Sequence, residues 1–264
     1  MWTRSSWSTT TRRIRLSRSP RALADQFPII RVMHAREQGV IHARSEGFDV
    51  ATGDVLARVD ADTRVHPSWA RMVRDFFFSH GNQFAAGSGL CSCHDLPWQQ
   101  IFRRQQRRIS DSVAASLAMG DASAAESMRL FGSNMAIARR AWETVRADRS
   151  RSTDVFEDLD LSLTLEAAGY RIGLIPHPDA QISGRRFLSP PAVYLRYCWR
   201  DQRTLRRRGH VGRAWRAVGT TVLVQMPFYC VMWIPFRAFD PRTQRMRPRR
   251  LLRRGEHRVL PSGD

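Results

Sequence analysis

The sequence predicts an α/β layered fold with a mostly parallel sheet. Three observations carry this. Short apolar runs with strand character recur at 29–33, 55–59, 83–90, 129–137 and 170–175. Stretches with helical spacing lie between them, as with Trp69, Met72, Val73 and Phe76 at i, i+3, i+4 and i+7. Gly and Pro punctuate the changes of period. In such sheets ligands gather at the carboxyl ends of the strands.

The elements follow in order. Residues 1–21 carry six Arg and no acid, and Trp2, Trp7 and Ile14 show no period, so residues 1–24 read as an irregular basic arm. The genetic code offers a second expectation. Back-translated with GC-leaning codons and shifted by two nucleotides, residues 1–16 can read Val-Asp-Glu-Val-Val-Val-Val-Asp-Asn-Asn-Ser-Thr-Asp-Pro-Thr-Val. That is an apolar strand running into an acidic turn, as if the start were out of frame and the true frame returned near Arg21. Leu23, Ala24 and Phe27 end a helix that Pro28 closes. A strand at 29–33 and a helix at 40–51 precede the run Val55-Leu56-Ala57-Arg58-Val59-Asp60-Ala61-Asp62. Pro67-Ser68-Trp69 opens the next helix, and 83–90 is a small-residue strand. Residues 97–128 read as one long helix, 129–137 as a strand, 139–145 as a helix. A helix over 156–168 is closed by Gly169 and followed by a strand at 170–175.

Beyond Arg186 the character changes. Pro190-Pro191 breaks the chain, 193–208 is an Arg-laden amphipathic helix, and 217–236 is twenty residues without a charge. Length and composition allow that segment to span a bilayer once or to lie on its surface.

Net charge is +19 and uneven. Residues 185–264 hold 19 Arg against four acids, while 22–184 hold 18 basic and 20 acidic residues. A near-neutral core argues against nucleic acid as a partner. A cationic end beside an apolar run points to an anionic membrane surface. Four scattered Cys exclude a disulfide framework.

Two acidic clusters carry the candidate chemistry. On a strand, Asp60 and Asp62 would share one face, and two carboxylates at a strand end suit a hard cation that holds a phosphate. Glu157, Asp158 and Asp160 crowd the first turn of a helix, where the dipole favours acids; a carboxylate facing a pocket there could accept a proton.

Taken in order, five segments resemble the family 2 glycosyltransferases of the GT-A fold. They are Gly39-Val40-Ile41-His42-Ala43-Arg44-Ser45-Glu46-Gly47, with Ser45 where Asn is usual; Ala51-Thr52-Gly53-Asp54 followed by Asp60-Ala61-Asp62, the DxD motif; Phe131-Gly132-Ser133-Asn134; Glu157-Asp158-Leu159-Asp160-Leu161 with Gly169-Tyr170-Arg171; and Ser183-Gly184-Arg185-Arg186. The resemblance covers about 25–187 and implies a GT-A-like core there, incomplete at the N-terminus, followed by a helical basic region over 188–264. It implies transfer of a sugar from a nucleotide-diphosphate sugar to a hydroxyl acceptor, saccharide or lipid-linked, with inversion. On that reading Asp62 holds Mg2+ or Mn2+ with Asp60 supporting it or touching the ribose, and Asp158 is the general base with Glu157 its alternative. Arg44, Arg185 and Arg186 face the diphosphate, Gly132 and Asn134 shape the acceptor side, and the enzyme works at the cytoplasmic face of a membrane.

Overall fold

The computed structural model describes residues 20–252, and the backbone of 5–9. In chain order the elements are β1 (Ser5–Thr9), α1 (Pro20–Gln26), β2 (Ile30–His34), α2 (Val40–Val50), β3 (Val55–Val59), β4 (Arg64–Val65), α3 (Trp69–His80), β5 (Ala86–Ser88) and β6 (Cys91–Cys93). Then come α4 (Gln99–Ala118), β7 (Asn134–Ala138), α5 (Arg139–Val145), α6 (Glu157–Ala167), β8 (Ile172–Leu174), β9 (Ala180–Ile182), α7 (Pro191–Arg207), α8 (Val211–Thr220), α9 (Met226–Ala238), β10 (Phe239–Asp240) and β11 (Arg245–Met246).

The α/β class holds, and the central sheet is mixed. Its order is β3-β7-β5-β8, with β7 antiparallel to both neighbours and β5 parallel to β8. Three of its four strands therefore run the same way. A second sheet, β4-β9-β6, lies beside it, and β1 pairs parallel with β2. The strand β1 departs from the irregular arm expected for 1–24. The proposed out-of-frame start falls largely outside the described residues.

Alternation along β7 splits the core in two. Met135 and Ile137 join Phe48, Leu56, Trp142, Val145, Leu161 and Leu165 under α2, α5 and α6. Ala136 joins Val73, Phe76, Phe84, Val113, Leu117 and Ile175 under α3 and α4. A third cluster, Phe156, Leu159, Leu163, Leu205 and Ala214, fixes α7 and α8 against α6. So α6 is buried on both sides.

The helix expected over 97–128 ends at Ala118, because Gly120 takes a left-handed conformation and Asp121 accepts from the Ser123 N–H and hydroxyl, turning the chain. The strand expected at 129–137 begins only at Asn134; Gly132 and Ser133 form a turn before it.

Candidate active site

Sheet register assembles the site. Val59 pairs with Asn134, so the carboxyl end of β3, where Asp60 follows, lies beside the Gly132-Ser133 turn that precedes β7. Val65 pairs with Ala180, so the segment before β4, with Asp62, lies beside the segment after β9, with Ser183 to Arg186. The start of α6 closes the third side.

Asp60 and Asp62 do not share a strand face, because β3 stops at Val59 and the two sit in a turn closed by the Thr63 N–H donating to the Asp60 carbonyl at 2.9 Å. Asp60 accepts from Arg44 Nη2. Asp62 Oδ2 accepts from Arg185 Nη2 at 3.3 Å. Arg185 is half-exposed, and its Nε donates to Ser183 Oγ at 3.1 Å. Asp95 holds this turn, accepting from the Ser183 hydroxyl at 2.7 Å and the Gly184 N–H at 2.6 Å. Arg186 engages α7: its Nη1 donates to the Tyr197 hydroxyl and its guanidinium lies 3.9 Å from the Tyr197 ring centroid.

The two adjacent acids of α6 have different fates. The Glu157 side chain is 9% exposed and accepts from Arg44 Nη1 at 2.5 Å and from Arg58 Nη1. Burial alone would push its carboxyl up, but the charges of Arg58, Arg44 and Arg149 outweigh that and pull it down to about 2. A carboxylate held this firmly is a poor proton acceptor near neutral pH, so Glu157 is a structural anion and not the alternative base. Arg44 likewise has two carboxylates; burial pulls it down, yet Glu157 and Asp60 hold it above its ordinary value. It braces Asp60 against α6.

Asp158 remains open, with its side chain 20% exposed. Its Oδ2 accepts from the Gly132 N–H at 3.2 Å and its Oδ1 from the Leu159 N–H at 2.8 Å. Arg129 Nη2 stands 3.5 Å from Oδ1, while Nη1 of the same guanidinium donates to Asp201 at 2.8 Å. The positive end of the α6 dipole adds to these donors. The result is an oriented carboxylate with a face to solvent.

Gly132 is required by close approach: a Cβ there would collide with Arg58 Nη2 and sit 3.5 Å from Asp158 Cβ. Asn134 is fully engaged inside the fold. It is 1% exposed, its amide donates to the Leu90 carbonyl at 3.2 Å and the Pro178 carbonyl at 2.9 Å, and its oxygen accepts from the Trp69 indole at 2.8 Å. It ties three segments together.

Sequence reasoning missed Arg58, Arg129, Asp95 and Asp201. Arg58 left a signal, since an Arg inside the apolar strand Val55–Val59 calls for a buried partner. Its Nε donates to the Gly132 carbonyl at 2.7 Å.

Among the described residues no three His, Cys, Asp or Glu side chains converge as a metal cage. Asp62 nevertheless fits a hard cation of the kind that takes one or two carboxylates and draws its other oxygens from substrate phosphates and water.

The chain is similar to known proteins over parts of its length. A 45-residue stretch, 17% of the chain, is 42% identical to an uncharacterized glycosyltransferase, YibD, of Escherichia coli K12, and spans 13% of that protein's length. The mannosyltransferase PcManGT from Pyrobaculum calidifontis, solved in complex with GDP-Man and Mn2+, superposes with a TM-score of 0.48 at 15% identity, over 84% of this chain and 68% of that one. The family model for glycosyl transferase family group 2 matches residues 56–245, well over half the chain. With the acidic turn, the α6 acids and the Ser183 to Arg186 turn all inside that match, the chain belongs to glycosyl transferase family group 2.

Proposed function

We propose that the chain transfers a sugar from a nucleotide-diphosphate sugar to a hydroxyl acceptor, with inversion and with a divalent cation. The observation that carries this is the division of labour at the start of α6. Glu157 is locked between Arg44 and Arg58, while Asp158, beside it, is oriented by two backbone N–H groups and open to solvent. Asp158 takes the proton of the acceptor hydroxyl. The freed oxygen attacks the anomeric carbon as the bond from that carbon to the diphosphate oxygen breaks, and the nucleoside diphosphate leaves. Opposite-face attack inverts the centre. Arg185, half-exposed beside Asp62, binds the diphosphate through its guanidinium fork. Mg2+ or Mn2+ held by Asp62 would supply neutralisation of the charge that grows on the leaving diphosphate.

On this reading residues 25–187 are the catalytic core, and 188–264 meet an anionic membrane surface at its cytoplasmic face. The exposed apolar helix Val211–Ala238 supports that second partner. It equally favours the rival reading, a membrane-binding remnant without catalysis.

The test is a panel of nucleotide-diphosphate sugars with Mg2+ or Mn2+, scored for release of nucleoside diphosphate and for transfer. Turnover that chelation abolishes is expected. Asp158→Asn should lower it roughly a hundredfold to ten-thousandfold while the fold persists. Full activity in Asp158→Asn, or no metal-dependent turnover with any donor, sinks the proposal and leaves the rival.

A further inference from the structure

We infer that the helical run Val211–Ala238 lies in the plane of an anionic bilayer surface and does not cross it. This rests on the membrane partner proposed above and settles on one of the two placements that length and composition allow.

The run has a docked stripe and a bare one. Its buried positions include Ala214, Thr221, Tyr229 and Phe236. Their spacings are seven, eight and seven residues. Seven residues are nearly two α-helical turns, so the stripe stays in phase at both ends, and the eighth residue falls where Thr221–Gln225 is π-helical. Pro227, which has no N–H to return to the carbonyl of Leu223, follows at once. The π segment thus turns the helix so that Tyr229, rather than Phe228, meets the core.

Docking is specific. The Tyr229 hydroxyl donates to the Ser189 carbonyl at 2.6 Å, and Tyr229 stacks on Tyr194 with 3.7 Å between centroids. The Trp233 indole donates to the Leu188 carbonyl at 3.4 Å, and Phe236 meets Phe187 edge to face. Arg213 pairs with Glu166 on α6 at 2.8 Å. To cross a hydrocarbon core of about 30 Å a helix must place roughly 20 residues in it, together with whatever they are docked on. Here the longest stretch between buried positions is 222–228, only about 10 Å at 1.5 Å per residue. Spanning would require breaking the docked stripe or carrying what it is docked on into that core.

The bare stripe is apolar and flanked by cations. Val222, Leu223, Val224, Phe228, Val231 and Ile234 are exposed, Leu223 by 76% and Val231 by 71%. Trp215, also exposed, lies under the guanidinium of Arg206, an arrangement suited to a membrane–water boundary. Arg206, Arg216, Arg242, Arg245 and Arg249, within the run or close to it in sequence, are exposed. An exposed apolar stripe in a segment this rich in Arg complements anionic headgroups and shallow acyl chains, which an in-plane helix enters by about 5–10 Å. The occupant is therefore an anionic lipid surface. The surface adjoins the site: Tyr229 and Trp233 hold the carbonyl groups of 187–189, in the turn that carries Arg185.

The experiment uses the full chain and vesicles of phosphatidylcholine with or without phosphatidylglycerol, and reads binding rather than turnover. The chain should float with the anionic vesicles and hardly with the neutral ones. Leu223→Glu, Val231→Glu and Ile234→Glu together should weaken binding by roughly tenfold or more with unchanged circular dichroism. Environment-sensitive labels on Val211→Cys and Thr243→Cys, in a background with Cys91, Cys93 and Cys230 replaced by Ser, should both be bleached by dithionite added outside the vesicles. Protection of one of them means a crossing helix and overturns the in-plane placement alone. Equal flotation with neutral vesicles overturns the anionic assignment. No flotation at all overturns the lipid partner, and none of these outcomes touches the sugar-transfer assay.

Discussion

Replacing Glu157 by Gln tests the buried charge network that shapes the site. Glu157 faces Arg44 and Arg58, and the substitution leaves Arg58 buried without its carboxylate. Breaking a buried ion pair by removing one member costs about 3–5 kcal/mol. The depression of the same carboxyl from 4.5 to about 2, which arises from these contacts, is of the same order, roughly 3 kcal/mol of native stability. Glu157→Gln should therefore lose on the order of 3 kcal/mol in urea unfolding at neutral pH, about a 150-fold shift of the folding equilibrium. The sign with pH is fixed. A carboxyl depressed in the folded state stabilises it above its unfolded value, and the contribution disappears as pH falls from about 4.5 toward 2. The gap between the parent chain and the variant should therefore close across that window. A variant within about 0.5 kcal/mol of the parent at neutral pH, or a gap that persists down to pH 2, refutes the reasoning.

Other outcomes follow from the same contacts. Arg185→Ala should raise KM for the donor roughly tenfold and leave Tm unchanged, because its side chain is half-exposed and its contact with Asp62 is long; an unchanged KM removes it from the diphosphate. Gly132→Ala forces a methyl against Arg58 and should cost about 1–3 kcal/mol in denaturant unfolding, with loss of turnover as the Asp158 support shifts. Asn134→Ala strips three buried hydrogen bonds and should cost about 2–4 kcal/mol; a mild stability effect with selective loss of acceptor binding would restore Asn134 to the acceptor side.

Legibility in the sequence followed the range of the interactions involved. The helix start at Trp69, the helix Arg139–Val145 and the stop at Gly169 all rest on local period and turn chemistry, and they were readable. The end of α4 was missed because Ala-rich sequence favours helix, and the turn at Gly120 and Asp121 is a smaller signal than the composition around it. In the site, the family resemblance picked out Asp60, Asp62, Glu157, Asp158, Arg44, Arg185, Arg186, Gly132 and Asn134 as a set. It could not divide their roles, because those depend on which partner lies across more than a hundred residues, as Arg44 does for Glu157.

By itself the sequence determined the α/β class, the family, the acidic clusters and the neutral core between basic ends, since periodicity, composition and residue order are one-dimensional properties. Only the tertiary structure decided that β7 runs against its neighbours, that Asn134 is a tie and that Glu157 is locked while Asp158 stays open. It also turned Tyr229 inward and left Val231 outside. Each of these depends on strand register and helix packing. Register sets which end of a strand meets which turn, and the cations packed around a buried carboxylate set whether it stays a fixed charge that holds the fold.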